Sequence, residues 1–434
     1  MGRNRTEGLW REAGRAAVLL VVCIAAGVLL LCGAYLLPPG ASETNALTSY
    51  YTLQGEGDYG VLLSMYPSTM QDNFTDSLMI SKAVYQGDEP LLQKVAAAFH
   101  YGAEGEQRHE DIAATLTHSG NKSSYARYWH GYLTVLRPLM MVLDIQTIRM
   151  LNLLVQLLLM AGLCWQMAKK GLSGLIFPLM MTYFFLSPIT LAFSLQYSTM
   201  YYIAFGMSLL LLVFWQPLHK RNWDSAFFFL IGVLSAYYDF LTYPVAGLGI
   251  PAVIWTALLK QEDESIRLRQ LLPRLIKMCV FWGAGYACMW ISKWGIAALL
   301  LGGEEWGKAI TSFQFRSSNV MSDGSTTTLM ATIALNMERF FISKRMILLF
   351  VAPILVWLAA QALTHRIRLP KPQFLLCYAL LACLPFGWYA VTVSHSAIHC
   401  FAYRSLCVWV FATLALPTLF FGESRRRLST KSGV

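Results

Sequence analysis

The feature that most constrains the fold is a series of apolar runs, several of them 17 or more residues long. An α-helix rises about 1.5 Å per residue, so roughly 20 apolar residues cross the hydrocarbon core of a bilayer. Hydrophobic residues make up 56% of the chain and charged residues 13%, and a soluble core does not explain repeated runs of this length. The runs therefore predict an all-α, polytopic membrane protein.

Ten such runs are visible, and we interpret each as a transmembrane helix. Their approximate ranges are 16–37, 148–168, 172–192, 200–217, 225–241, 243–259, 278–301, 346–363, 373–392 and 403–421. The first is too long for a signal-peptide core, so we expect it to be a retained anchor. The chain 1–434 is then one membrane domain with a large loop at 38–147 and a second loop at 302–345. Within the first loop, apolar spacing predicts short interfacial helices at 86–99, 109–116 and 133–143.

The net charge of +10 comes from short basic clusters that lie between the apolar runs. Nucleic acid is a poor explanation for clusters in these places, whereas the positive-inside rule accounts for basic residues in every second connection. The clusters precede the first run, follow runs two, four, six and eight, and close the chain at Arg425, Arg426, Arg427 and Lys431. Both termini are therefore predicted to be cytoplasmic, and both large loops exterior.

The nine cysteines all lie in or beside apolar runs. They indicate neither a disulfide framework nor a cysteine-based metal site. His395 and His399 are four residues apart, but no glutamate stands between them as in a zinc-binding protease helix, so we predict no metal ligands. The carboxylates of the long loop are compatible with a divalent cation but do not require one, and the cofactor stays unknown.

Two carboxylates lie close together in the long loop. Asp72 and Asp76 are four residues apart and share one face if this stretch is helical. A carboxylate at a membrane interface can take the proton of a hydroxyl group, so one of the pair is a predicted catalytic base. The alternative is that Asp72 only caps a helix. Asp58, in a glycine-rich turn, and Asp239, in a short connection between two runs, are further candidates.

Basic and aromatic residues gather at the exterior ends of the predicted spans. Anchoring at the interface explains any one of them, but arginine binds phosphate oxygens bidentately and aromatic side chains suit a sugar ring. We therefore predict a site for an anionic lipid phosphate. The predicted ligands are Arg127, His130, His395, His399 and Arg404, and the further candidates are Arg137, Lys308 and Arg316.

This layout resembles the GT-C superfamily of integral-membrane glycosyltransferases. The likeness lies in one cytoplasm-to-exterior span, a large exterior first loop with an acidic residue near its start, and many further spans. The resemblance implies a polyprenyl-phosphate-linked sugar as donor and a catalytic carboxylate in the first loop, which here corresponds to Asp72 or Asp76. It also implies a single, inverting displacement at the exterior membrane surface.

The expected function is transfer of that sugar to a cell-surface glycan or a lipid-linked acceptor, in a cell membrane that we expect to be bacterial. The lipid bilayer, the donor and the acceptor are the predicted partners. Two alternatives stay open. A polysaccharide polymerase or ligase would share the exterior arginines and histidines without needing the early carboxylate. A lipid or glycan transporter would carry ionisable residues near the span centres, whereas here they lie at the exterior ends.

Overall fold

A computed structural model describes residues 2–105 and 107–424, so the predicted basic residues Arg425, Arg426, Arg427 and Lys431 lie outside the described residues. The structure is 75% helical and contains almost no sheet, which confirms the all-α prediction. Within the described residues, seven helices are long and apolar enough to cross a membrane. The protein is therefore a multi-pass membrane protein by length and composition of its helices.

The helices are numbered in chain order. They are α1 (Gly2–Tyr35), α2 (Glu43–Glu56), α3 (Asn73–Val84), α4 (Leu91–Ala97), α5 (Glu110–Leu116), α6 (Leu133–Met140), α7 (Ile145–Lys169), α8 (Ile176–Phe185), α9 (Pro188–Phe193), α10 (Leu195–Val213), α11 (Trp215–Lys220), α12 (Asp224–Tyr238), α13 (Val245–Glu262), α14 (Leu268–Leu301), α15 (Glu304–Ser317), α16 (Leu329–Glu338), α17 (Lys344–Thr364), α18 (Pro372–Val391), α19 (Val393–Ile398) and α20 (Cys407–Ala415). Short 3₁₀ helices cover Pro39–Ser42, Pro67–Thr69, Ser173–Leu175, Cys400–Leu406 and Leu416–Leu419.

Two small antiparallel pairs complete the structure. Strand β1 (His100–Gly102) pairs with β2 (Asn121–Ser123), and β3 (His365–Ile367) pairs with β4 (Phe421–Ser424).

The seven long apolar helices correspond to seven of the ten predicted spans. They are Trp10–Tyr35, Ile145–Lys169, Leu195–Val213, Leu268–Leu301, Lys344–Thr364, Pro372–Val391 and Cys400–Leu419. Of the other three predicted spans, one is interrupted, one forms a short helix, and one, α13, has 18 residues. The run 172–192 breaks at Ser187, which has a φ of 57° and precedes Pro188, because the residue before a proline avoids the helical region. Helix α12 has only 15 residues, and α13 ends in charged residues.

The segment 38–147 folds into five short helices and the β1–β2 pair. Two of the three helices predicted there appear with nearly the predicted bounds, as α5 and α6. The helix predicted at 86–99 begins only at Leu91, after Pro90, and ends before Ala98, which has a φ of 45°. A proline has no backbone N–H group and is favoured at a helix start, which explains why α4 begins directly after Pro90. Helix α2 was not predicted.

Close packing of α12 against α14 positions the elements that line the candidate site. A Cβ atom at Gly232 would collide with the Trp282 carbonyl oxygen, and one at Gly285 would collide with the Phe229 carbonyl oxygen. Small residues allow this approach of two helix backbones in a membrane. As a result α14 lies beside the turn that follows α12, and the ring of Tyr128 contacts both elements.

Candidate functional site

Asp72 is the N-cap residue of α3. Its Oδ1 accepts a hydrogen bond from the Thr75 amide at 2.9 Å, as a capping carboxylate does. Its Oδ2 accepts a hydrogen bond from the side-chain amide of Gln196, and its own amide donates to Ser194 Oγ at 3.0 Å. Asp72 therefore both caps α3 and joins α3 to the start of α10.

Asp76 lies one turn later and is fully buried. Its carboxylate accepts the Leu195 amide at 2.9 and 3.2 Å, and its Oδ2 lies 3.8 Å from Arg149 Nη2. These partners belong to α10 and α7. The two carboxylates that the sequence could not separate are thus in different surroundings, and Asp76 is enclosed by protein.

A cavity of about 490 Å³ lies against the N-terminal end of α3, and we call it the Asp72 cavity. Four predicted site residues from three distant parts of the sequence line it, namely Asp72, Arg316, His395 and His399. Asp72 is the one carboxylate among the described residues of its lining. The structure therefore brings the early-loop carboxylate together with a guanidinium and two imidazoles.

Burial raises the pKa of both carboxyl groups. The pKa of Asp72 rises from 3.8 to about 6, although the hydrogen bonds from Thr75 and the charge of Arg404 act in the opposite direction. The pKa of Asp76 rises to about 7, again because of burial, although Arg149 lowers it. A proton acceptor works best when its pKa is near the working pH. Of the two, only Asp72 lines the cavity, so only its carboxylate can accept a proton from a substrate bound there.

The two histidines of the cavity are uncharged at neutral pH. Their ring centroids are 4.5 Å apart. Burial, together with Arg316, lowers the pKa of His399 to about 4 and lowers the pKa of His395 well below its usual value. Neutral imidazoles offer no positive charge to a phosphate, so Arg316 is the cation that this cavity provides.

A second cavity of about 360 Å³ lies between α14, α15 and α18, and we call it the tryptophan cavity. Its walls include Trp290, Trp294 and Trp388, and the two charged residues among the described lining are Arg127 and Arg316. Arg316 also lines the Asp72 cavity. The two cavities are therefore neighbours that share a guanidinium group.

Arg127 and Arg316 both make cation–π contacts with the ring of Tyr128. The guanidinium carbon of each lies 5.6 Å from the centroid of the Tyr128 ring. Arg127 also donates to the Tyr125 hydroxyl at 2.9 Å, while its buried Nε has no partner among the described residues. The boundary between the two cavities thus carries two arginines, one of which has an unused donor.

Arg404 is buried near Asp72 and lines neither cavity. It is 1% exposed, its guanidinium carbon is 3.8 Å from the Tyr197 ring centroid, and its Nη2 lies 3.4 Å from the Ser68 carbonyl oxygen. Its positive charge lowers the pKa of Asp72. The structure therefore places Arg404 where it acts on the carboxylate, apart from Arg127.

His130 and Arg137 are buried and bind the protein itself. His130 Nε2 lies 2.7 Å from the Tyr125 carbonyl oxygen, and its Nδ1 lies 3.2 Å from the Tyr132 hydroxyl. Arg137 Nε donates to the carbonyl oxygen of Ala34, at the end of α1, at 2.9 Å. Neither lines the Asp72 cavity or the tryptophan cavity. Arg137 holds the loop 38–147 against α1, whereas these contacts of His130 lie within the loop.

The remaining predicted residues are dispersed. Asp58 is half-buried, with its Oδ2 3.4 Å from the Arg108 amide nitrogen. Asp239 is buried and binds Thr242 in the turn after α12. Lys308 is exposed and pairs with Glu305 on the same helix.

The sequence interpretation missed the buried cation Arg149 and the amide Gln196. Arg149 lies within α7, close to the start of a predicted span, and Gln196 lies at the start of α10. Polar side chains of this kind are costly in a membrane unless they have partners. Their position at the edge of apolar runs was the available signal, but the sequence gives no partner for either.

In the described ranges 2–105 and 107–424, no group of three or more His, Cys, Asp or Glu side chains is arranged to hold a metal ion. The chain matches no model of a known protein family, no curated protein and no solved structure.

Proposed function

We propose that the protein is a membrane glycosyltransferase that moves a sugar from a polyprenyl-phosphate donor to a cell-surface glycan or a lipid-linked acceptor. The observation that carries this proposal is the shared Arg316, at which the Asp72 cavity and the tryptophan cavity meet. A donor of this class consists of a hydrocarbon chain, a phosphate and a sugar. The tryptophan cavity offers an apolar wall for the hydrocarbon chain and two arginines for the phosphate. The Asp72 cavity offers a carboxylate beside the sugar.

The donor phosphate would lie against Arg127 and Arg316, whose guanidinium carbons are each 5.6 Å from the centroid of the Tyr128 ring. Arginine binds phosphate oxygens bidentately, and two guanidinium groups stabilise the negative charge that develops as the phosphate leaves. The hydrocarbon chain would follow the wall formed by Trp290 and Trp388. Val391, which is 52% exposed, lies at the edge of this wall, where a chain can enter from the bilayer.

Asp72 is the proposed general base. The acceptor hydroxyl attacks the anomeric carbon, its proton passes to the Asp72 carboxylate, and the bond from the anomeric carbon to the phosphate oxygen breaks. The electron pair of that bond leaves with the polyprenyl phosphate, and the configuration at the anomeric carbon inverts. A pKa of about 6 leaves Asp72 ionised at neutral pH and able to accept this proton. No nucleotide takes part.

The proposed topology has ten crossings of a bacterial cell membrane, with both termini cytoplasmic. The seven long helices supply seven crossings, and the α8–α9 pair, α12 and α13 supply three. Basic residues in every second connection support this arrangement. The Asp72 cavity supports it as well, because Asp72, Arg316 and His395 belong to regions between crossings that this pattern assigns to the exterior side, and Gln196 and Phe240 lie at the exterior ends of α10 and α12.

The test is a transfer assay on the purified protein in nanodiscs, with a panel of polyprenyl-phosphate-linked sugars and released polyprenyl phosphate as the readout. We expect release from at least one donor when an acceptor is present. Arg127→Lys and Arg316→Lys are expected to lose about tenfold or more of the turnover, because lysine keeps the charge but loses the bidentate geometry. The matched control is Arg345→Lys, since Arg345 is exposed and lines neither cavity.

Wild-type turnover in both cavity variants would remove the phosphate site from the proposal. Absence of transfer from every donor would reject the enzyme. Movement of an intact donor between the two leaflets, without cleavage, would point to the transporter instead.

A further inference from the structure

The Asp72 cavity contains a second polar group that is fixed by the protein. His395 is 3% exposed and lines this cavity. Its Nε2 lies 2.6 Å from the carbonyl oxygen of Leu241. A carbonyl oxygen can only accept a hydrogen bond, so Nε2 carries the proton. The other ring nitrogen, Nδ1, is buried and has no hydrogen-bond partner among the described residues.

The surroundings of His395 keep its ring uncharged. Burial is the largest cause that lowers its pKa, and the facing His399 and Arg316 act in the same direction. An uncharged imidazole with its proton on Nε2 has a free lone pair on Nδ1. His395 therefore has one hydrogen-bond acceptor, Nδ1, that the described residues leave without a partner, while its one donor, Nε2, is used by the Leu241 carbonyl.

The carbonyl that fixes this tautomer belongs to a strained turn. Leu241 has a φ of 67°, a left-handed conformation that a bulky residue rarely adopts. The buried carboxylate of Asp239 holds the turn, because its Oδ2 accepts the Thr242 amide at 2.8 Å and its Oδ1 accepts the Thr242 hydroxyl. Asp239, which had no partner assigned from sequence, is thus a positioning residue for His395.

Arg339 holds the backbone of α19, the helix that carries His395. Arg339 donates to the carbonyl oxygens of Ala397 and His399 at 2.7 and 2.6 Å. These carbonyl groups lie at the C-terminal end of α19, where the last carbonyl groups of a helix lack an intrahelical partner. The His399 carbonyl also accepts the Ala402 amide at 3.1 Å, in the 3₁₀ helix that follows. Arg339 therefore fixes the helix while the Leu241 carbonyl fixes the ring, and together they hold Nδ1 in one place.

We propose that His395 Nδ1 accepts a hydrogen bond from a hydroxyl group of the substrate, and that the Asp72 cavity therefore binds an uncharged, hydroxyl-bearing ring. The inference rests on the proposed function and names the part of the substrate that this cavity takes. A lone pair repels the oxygens of a phosphate, and Arg316 disfavours an ammonium group nearby. A hydroxyl group is the donor that suits both neighbours.

This assignment orients the substrate. The phosphate lies on the tryptophan-cavity side of Arg316, against the two arginines, and the sugar lies on the His395 side with Asp72. A histidine predicted from sequence as a phosphate ligand is thereby assigned to the sugar.

The tautomer of His395 can be measured without any substrate. The full chain is labelled with ¹⁵N in its histidine rings and placed in nanodiscs, and the His395 signals are assigned by their loss in His395→Gln. We expect a proton on Nε2 and none on Nδ1 at pH 7. Thr242→Val should add a population with the proton on Nδ1, because the turn that presents the Leu241 carbonyl loses a hydrogen bond.

A wild-type His395 that carries a proton on Nδ1 at pH 7 overturns the inference. His399→Gln is the matched control, since it removes a neighbouring ring from the same cavity and should leave the His395 tautomer unchanged. If His395→Gln does not fold, His395→Asn provides the same assignment.

A second measurement uses the donor found in the transfer assay. His395→Gln is expected to lower kcat/KM by about ten- to a hundredfold, because a substrate hydroxyl loses its fixed partner. A set of donors, each lacking one hydroxyl group, then identifies the contact. On the donor that lacks the recognised hydroxyl, the wild type and His395→Gln should have similar kcat/KM, because neither protein can make the hydrogen bond. An equal difference on every deoxy donor contradicts the hydroxyl contact.

The two proposals fail in different ways. A wild type that transfers no sugar from any donor rejects the glycosyltransferase and leaves the tautomer result standing. An active transferase whose His395 is protonated on Nδ1 rejects the hydroxyl site alone.

Discussion

Replacement of Arg149 by methionine tests whether Asp76 has a structural role that Asp72 does not share. Arg149 is fully buried. Its Nη1 donates to both carboxylate oxygens of Glu56 at 2.9 and 2.8 Å, and its Nη2 donates to Asn73 Oδ1 at 2.7 Å and lies 3.8 Å from Asp76. One guanidinium group therefore connects α2, α3 and α7.

The expected loss of stability follows from these contacts. Removing one partner of a buried pair costs about 3–5 kcal/mol, because the other charge stays buried without compensation. The Glu56 side chain is 30% exposed, so solvent screens it once the arginine is gone. Asp76 can become uncharged by taking up a proton, because burial already raises its pKa to about 7. This avoids the free-energy cost of a buried charge without a partner. We therefore expect the lower end of the range, about 3 kcal/mol.

The assay is thermal or denaturant unfolding of purified variants in nanodiscs. Arg149→Met combined with Asp76→Asn should recover part of the loss, because the amide needs no cation, and the two changes should not add. Arg345→Met, at an exposed arginine, is the matched control and should change stability by no more than about 0.5 kcal/mol. An Arg149→Met variant as stable as the wild type would refute the interpretation of Asp76 as part of a buried ion-pair network.

Two further predictions concern topology and pH. A single cysteine at the exposed Ser119, in a chain whose nine native cysteines are replaced, should react with a membrane-impermeant maleimide in intact cells; reaction only after permeabilisation would reverse the proposed topology. Transfer should fall as the pH drops through about 6, the pKa of Asp72, because only the ionised carboxylate accepts a proton. The same shift has the opposite sign for stability: the folded chain holds this proton more tightly than the unfolded chain, so the contribution of Asp72 to stability is lost as pH rises from about 4 to about 6. A transfer rate independent of pH between 5 and 7 would count against Asp72 as the base.

The sequence predicted the parts of the fold that depend on long apolar runs. Such runs identify α1, α7 and α17 because few other structures accommodate them. The break at Ser187 was missed because the run around it stays apolar, and only the following proline indicates it. Helix α2 was missed because Glu43–Glu56 has no apolar periodicity. It is held by tertiary contacts, such as the pairing of Glu56 with Arg149, which sequence spacing does not reveal.

The sequence indicated residue types for the candidate site but not their arrangement. A four-residue spacing puts Asp72 and Asp76 on one face of a helix, yet Asp72 is the cap of α3 and only Asp76 lies inside it. This difference of one turn decides which carboxylate lines the cavity. Arg127 and Arg404 were equivalent in the sequence because both lie beside aromatic residues. In the structure Arg404 is covered by Tyr197, whereas Arg127 lines the tryptophan cavity.

The central claim is that Asp72 takes the proton in a sugar transfer from a polyprenyl-phosphate donor, and Asp72→Asn tests it most directly. Asparagine is as good an N-cap as aspartate, so α3 and the fold should persist while the proton acceptor is lost. With the active donor and matched amounts of folded protein, we predict that Asp72→Asn lowers turnover on the order of a hundredfold with nearly unchanged donor binding. Asp76→Asn should retain most of the turnover of its folded fraction. Full turnover in Asp72→Asn would contradict the account.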